Sequence, residues 1–343
     1  MSVRPTVTLA QLREIAASPY AEVVSPFDGH PYLLVQSEGG CAEHLSPEER
    51  QAVSAWLLRQ ACPVIAIGAD NEVSDPWRDV YDVVLPNAAS ATALIENIQR
   101  APLAAMVLVH VLRATVDLPV PQALMVESLA YATLQGGPEF RNWLAEQPPA
   151  SASDAEALDA NAGPAVLMER QDEHLDIRLN RPEQRNAMSV EMRDALVEAL
   201  QFVIADPSIL SAKVRGKGEC FSVGGELAEF GMTPDPASAH AIRSLRLPAA
   251  LLAQCAERVE FQLHGACIGA GVELPAFAKR VTAARKAFFQ LPEIHFGLIP
   301  GAGGCVSLPR RIGRQRTAWL ALSTRRINAA TALEWGLIDA VID

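Results

Sequence analysis

The feature that most restricts the fold is an alternation running along the whole chain. Short apolar runs of strand length are followed by glycine-bearing turns or by segments of helical period. In the second half the runs are "SAKVRG" (211–216), "RVEFQLHG" (258–265) and "RVTAA" (280–284). That half opens with "AVLMERQDEHLDIRLN" (165–180), two alternating runs around the polar "QDEH", which predicts a β-hairpin. In the following "SVEMRDALVEALQFVIADP", Ser189 suits a helix cap and Glu191 the first turn, while Met192, Leu196, Leu200 and Val203 recur at helical spacing. The first half repeats the theme. "PYLLVQ", "PVIAIG" and "YDVVLP" read as strands, "SPEERQAVSAWLLRQ" as a capped helix, and Ser90 to about Glu146 as helical. Strand–turn–helix alternation of this kind predicts an α/β fold.

One stretch breaks the pattern. "EQPPASASDAEALDANAGP" (146–164) is rich in Pro, Ala, Ser and Asp, with Leu158 its only large apolar residue. It reads as an exposed linker over 148–163, between an N-terminal region (1–147) and a C-terminal core (164–343). Half of the 343 residues are hydrophobic, enough for more than one folding unit. The formal net charge of −11 argues against a nucleic-acid binder, which needs a basic surface. The longest strongly apolar run, "APLAAMVLVHVL" (101–112), is too short to span a bilayer, and the N-terminus lacks the apolar block of a signal peptide. Six scattered cysteines form no CxxC pair and read as reduced thiols. These features together predict a soluble, cytoplasmic protein with neither a membrane nor a nucleic acid as partner.

The residues that could do chemistry lie in the core. Two glycine turns, "CFSVGGEL" (220–227) and "CIGAGVEL" (267–274), each follow a strand candidate and are expected to open a helix. Two such turns converging would offer two unpaired backbone N–H groups, the minimum for an oxyanion hole. Glu273, in the second turn, and Glu293, in "FFQLPEIHFGLIPGAGG" (288–304), are carboxylates among apolar residues. Two such acids suit the addition of water across a polarised double bond, one activating water and the other giving a proton to carbon. His264 and His295 are weaker candidates, and Ser222 and Ser307 lack a G-x-S-x-G setting. No H-E-x-x-H, P-loop or G-x-G-x-x-G motif occurs, so no metal site is expected. The basic "PRRIGRQR" (309–316) reads as a solvated helix end able to attract a phosphate.

Taken in order, "LNRPEQRNAMSVEMRDAL", "GKGECFSVGGEL", "HGACIGAGVELPAFAKRVTAA", "AFFQLPEIHFGLIPGAGGCVSLPRRIG" and "STRRINAATALEWGLIDAVI" resemble the enoyl-CoA hydratase/isomerase (crotonase) superfamily. The resemblance covers essentially all of 164–343. It implies a crotonase-like spiral of ββα turns that binds an acyl-CoA thioester and holds its enolate on two backbone N–H groups, by position those of Gly225 and Ala270. It places the two hydratase acids on Glu273 and Glu293 and contacts to CoA on Arg185, Asn186 and Ala187. Ser222, Val223, Gly224, Gly269 and Gly271 of the two turns line the same site. The implied reaction is hydration of a 2-enoyl-CoA, with no cofactor other than the CoA of the substrate. The alternatives are isomerisation, C–C hydrolysis, cofactor-free oxygenation, or a silent CoA-binding scaffold.

This sequence departs from the family at Ala270, usually glycine, at Glu226 and Lys279, usually aspartate, and at Pro275. Family assembly implies a homotrimer or hexamer. Typical members continue after "GLIDAVI" into C-terminal helices, and residues 81–147 resemble that tail, displaced ahead of the core. Residues 1–80 form a small α/β segment with no recognisable chemistry.

Overall fold

The computed structural model describes residues 6–18, 24–27, 29–37, 46–68, 75, 77–148 and 163–343. The linker expected over 148–163 lies almost wholly outside the described residues. The first sheet is parallel throughout and keeps sequence order: β1 (Val7–Thr8), β2 (Leu33–Gln36), β3 (Val64–Ile67) and β4 (Val83–Leu85). Both of its faces are covered, as parallel sheets require. Leu33, Val35, Val64 and Ala66 pack with Leu12, Trp56 and Leu57, from helices Leu9–Ala17 and Pro47–Leu58. Leu34, Ile65, Ile67, Val83 and Leu85 point the other way, into the main core. The two-residue period of a strand divides "PVIAIG" between two apolar layers. Helix Pro47–Leu58 starts where expected, with Ser46 and Glu49 forming a capping box and Pro47 in the first turn.

The second sheet begins with the expected hairpin, β5 (Val166–Gln171) and β6 (His174–Leu179). β7 (Ser211–Gly216), β8 (Val259–Leu263), β9 (Ala266–Ile268), β10 (Arg280–Ala284), β11 (Phe288–Gln290), β12 (Ile327–Asn328) and β13 (Ala340–Ile342) follow. Six of these strands form one sheet in the order β13-β10-β8-β7-β6-β5, parallel apart from the hairpin, and β12-β11-β9 form a smaller one. Helix Val190–Ala205, capped by Ser189 as expected, buries Met192, Leu196, Leu200 and Val203. Each such side chain contributes about 1.5–3 kcal/mol of apolar burial. The outcome is the α/β architecture that the alternation predicts. Among the described residues no helix is long and apolar enough to cross a membrane.

Helices Thr92–Arg100, Pro102–Thr115, Val120–Gln135 and Pro138–Glu146 pack onto the second unit, chiefly against helices Pro236–Arg246, Gly304–Ile312 and Arg314–Ser323. One apolar core runs through both regions. Polar bonds cross the same boundary. Asn97 Nδ2 donates to the Leu322 carbonyl at 2.9 Å. Helix Pro102–Thr115 has no capping side chain next to it, and Glu139 serves instead, accepting from the Leu103 and Ala104 N–H groups at 2.7 and 2.9 Å.

The basic "PRRIGRQR" is only in part a solvated helix end. Arg310 and Arg316 stay exposed, whereas Arg311 and Arg314 turn inward, and the arginines satisfy backbone carbonyls of other segments. Arg310 donates to Leu118 O at 2.6 Å, and Arg311 to Leu337 O at 2.8 Å and Ala278 O at 3.1 Å. Arg314 donates to the Asp79 and Tyr81 carbonyls at 2.7 and 3.0 Å and to Asp82 Oδ1 at 2.7 Å. Asp82 is 1% exposed, pairs also with Arg113, and accepts the Val64 N–H at 2.9 Å. This buried acid therefore ties β3, helix Pro102–Thr115 and helix Arg314–Ser323 together. Asp82→Ala would leave two mostly buried guanidinium groups unpaired, and urea unfolding should show a loss of about 3–5 kcal/mol. A loss below about 1 kcal/mol would place the Asp82 contacts among ordinary surface ion pairs.

Candidate active site

The two glycine turns meet edge to edge. Phe221 N–H donates to His264 O at 2.8 Å, Ser222 N–H to Ala266 O at 3.2 Å, and Ile268 N–H to Ser222 O at 3.0 Å. Gly224 (φ +87°) approaches so closely that a Cβ there would lie 2.8 Å from the Ile268 carbonyl oxygen. Just beyond sit Gly225 and Ala270, and both border a cavity of about 1120 Å³. Neither N–H donates to a backbone carbonyl among the described residues.

Only the second turn opens a helix, Ala270–Glu273, which is four residues long. The first runs into a single 3-10 turn, Leu227–Glu229, so the expectation of two helix starts is corrected. Gly225 is aimed by strand-like pairing instead. The Gly224 carbonyl accepts from Met188 N–H at 2.7 Å, and Glu226 N–H donates to Met188 O at 3.4 Å. Backbone groups alternate sides along an extended segment, so the Gly225 N–H faces away from Met188, towards the cavity.

Glu273 is 2% exposed, and its Oε2 accepts two backbone N–H groups, from Ala302 at 2.8 Å and Gly304 at 2.9 Å. Gly304 permits this approach, since a Cβ there would lie 2.6 Å from Glu273 Cγ. Glu293 stands in the 3-10 turn Glu293–Phe296. A single point locates both acids. The position a Cβ would occupy on Gly269 (φ +51°) is 2.7 Å from Glu293 Oε1 and 3.9 Å from Glu273 Oε1. Glu293 Oε2 is buried with no hydrogen-bond partner. Burial pushes the Glu273 carboxyl up to about 7, against the pull of its two N–H donors. Burial, reinforced by the neighbouring Glu273, raises Glu293 well above the usual carboxylate range.

A third carboxyl, Glu127 of helix Val120–Gln135, has little signal in the sequence. It is 1% exposed and accepts from Gly303 N–H at 2.7 Å and Cys305 N–H at 2.8 Å. The only sequence signal is one acid inside the apolar "ALMVESLAYATL". Tyr131, one turn later, lines the cavity against Gly301, and Arg243 lies 4.6 Å over its ring.

Of the remaining expected residues, Arg185, Ala187, Val223, Gly224 and Gly269 border the cavity. Asn186, Ser222 and Gly271 do not, and their expected lining role is corrected to support of the wall. Asn186, fully buried, accepts the Arg181 N–H and donates to the Lys217 and Cys220 carbonyls at 2.9 and 3.1 Å. Ser222 Oγ donates to Asn186 O at 2.7 Å. Gly271 is packed so tightly that a Cβ would lie 2.6 Å from Ser222 O. His264 meets Gly218 O and His295 meets Asn97, and neither lines the cavity. Ser307 Oγ braces the Glu273 carbonyl at 2.7 Å.

A family model described as enoyl-CoA hydratase/isomerase matches residues 169–343. Similar curated proteins include two from Escherichia coli. A 1,2-epoxyphenylacetyl-CoA isomerase is 34% identical over 49% of this chain and 66% of its own length. A 2,3-dehydroadipyl-CoA hydratase is 33% identical over 51% of this chain and 68% of its own. A solved enoyl-CoA hydratase/isomerase from Mycobacterium paratuberculosis is 27% identical over 53% of this chain and 74% of its own, with a TM-score of 0.49. The matches thus span about half of this chain and about two thirds of the two E. coli proteins.

The raised Glu273 carboxyl makes stability depend on pH. The folded state keeps a proton that the unfolded state gives up near its ordinary value of 4.5, so stability falls as pH rises from there to about 7 and then levels off. Glu273→Gln carries no charge, so relative to the parent it should gain on the order of a few kcal/mol between about pH 5 and pH 8 in urea unfolding. An offset between the two proteins that does not change with pH would contradict the burial of an ionisable Glu273.

Proposed function

The chain belongs to the enoyl-CoA hydratase/isomerase family, and from that premise we propose that it is a hydratase, adding water across the double bond of a 2-enoyl-CoA. One observation carries the reading: two carboxyls, Glu273 buried and Glu293 half-buried, and two backbone N–H groups converge on one cavity, with an oxygen of each acid beside Gly269. The thioester oxygen would lie between the N–H groups of Gly225 and Ala270. There the negative charge that grows on it during attack is met by donors already in place. Arg185 and Ala187 at the cavity wall suit the CoA side of the ligand. The CoA enters as part of the substrate, and this reaction uses no separate cofactor.

The environments of the two acids divide their roles. Glu273 has one oxygen fixed by two N–H donors and the other facing the cavity, and at about 7 it is part-ionised near neutral pH. It is the base that takes a proton from water attacking C3. Glu293 has no donor on its buried Oε2 and is held protonated, so it delivers the proton to C2. The N–H pair stabilises the enolate between these two events. The isomerase half of the family description supports a second reading on the same frame, in which an acid moves a proton between two carbons and no water adds.

The test follows loss of enoyl-thioester absorbance with crotonyl-CoA and with longer and aryl 2-enoyl-CoAs. Glu273→Gln and Glu293→Gln should each lower turnover by about 10²–10⁴, with acyl-CoA binding kept within a few-fold. Parental turnover in either variant would remove that acid from the mechanism.

A further inference from the structure

Helix Gly304–Ile312 begins at four consecutive N–H groups, and two carboxyls divide them in strict alternation. Ala302 and Gly304 donate to Glu273, while Gly303 and Cys305 donate to Glu127. The division of oxygens is unequal. Glu127 commits both, Oε1 to Gly303 and Oε2 to Cys305, whereas Glu273 commits only Oε2 and keeps Oε1 towards the cavity. Without Glu127, the Gly303 and Cys305 N–H groups would be buried donors lacking an acceptor. Glu273 already accepts from Ala302 and Gly304, the neighbours of these donors, and its second oxygen, the one the reaction needs, has capacity to spare.

We propose that Glu127 is a positioning residue for the acid pair: by occupying the alternate N–H groups of this helix start, it fixes the loop 301–305 and keeps Glu273 Oε1 free for substrate water. This rests on the hydratase reading. Glu127 lies outside residues 169–343, the stretch that matches the family. The inference therefore gives the N-terminal helices a part in the chemistry. Charged and titratable groups face Glu127 from several elements. They are Glu273 and Glu293 from the site, Cys305 from the helix start, Tyr131 from its own helix and the Arg243 cation from helix Pro236–Arg246. Burial, then the neighbouring Glu273, raise the Glu127 carboxyl well above the usual carboxylate range.

The test uses the full chain with Glu127→Gln and Glu127→Asp. The Glu273 carboxyl is followed by carbon-13 NMR of glutamate-labelled protein and identified by the signal lost in Glu273→Gln. Glu127→Gln should lower kcat about tenfold or more with KM little changed, because a misplaced group costs rate rather than binding. It should also move the Glu273 midpoint down by at least about half a pH unit, since an N–H released from Glu127 can turn to Glu273 and favour its ionised form. Glu127→Asp, which keeps the carboxyl but shortens its reach, should release the same N–H groups, lower the midpoint in the same direction and lose rate. A role in folding alone would reduce the folded fraction without moving the midpoint. Folded Glu127→Gln with parental kcat and midpoint would overturn the proposal, and so would Glu127→Asp with parental kcat if the glutamine variant does not fold. If the parent turns over no enoyl-CoA, the hydratase reading fails, whereas the NMR midpoint still decides whether Glu127 governs Glu273.

Discussion

Burying a carboxyl beside a second carboxyl is costly unless backbone donors meet both, and the start of helix Gly304–Ile312 supplies those donors. Four successive N–H groups, from Ala302 to Cys305, each find a carboxyl oxygen. Much of the site follows from this. Gly304 has no side chain because Glu273 occupies that space, and Gly301 has none because Tyr131 does. Glu273 sits at the end of the short helix whose first residue, Ala270, borders the cavity, so the acid and that N–H are set by one element. The same arrangement draws helix Val120–Gln135 onto the core, since Glu127 has to reach the donors that Glu273 leaves over.

How much of this is legible in the sequence depends on how local the cause is. Glu273 and Glu293 stand out because a charge amid glycines and apolar residues looks wrong for its neighbourhood, and the structure puts both beside Gly269. The hairpin, the Ser189-capped helix and the strands at 211–216 and 280–284 have their causes within a few residues and are found there. Glu127 is different. Its partners are more than 170 positions away, and one acid in an apolar helix reads as a residue on the solvent side. The arginines of 310–316 mislead for the same reason, because the carbonyls they satisfy come from distant loops. Asn186 and Ser222 lie in the right segment but turn away from the cavity, a side-chain direction that spacing cannot supply.

The region ahead of the family-matching stretch is built into the same core. Its helices cover the start of helix Gly304–Ile312, place Tyr131 on the cavity wall, and through Arg113 share Asp82 with Arg314. These contacts hold the helices between Thr92 and Glu146 against the core. The division into 1–147 and 164–343 then describes chain order more than physical independence, because the apolar core does not stop at the boundary.

In a hydratase the two acids add water to an activated double bond, whereas in an isomerase they only move protons between carbons. Oxygen-18 labelling separates the two: a 2-enoyl-CoA is incubated with the protein in labelled water and the product is read by mass spectrometry. Hydration predicts one heavy oxygen, carried on C3 of a 3-hydroxyacyl-CoA. An unlabelled product with its double bond shifted would contradict hydration and assign the same carboxyls to isomerisation.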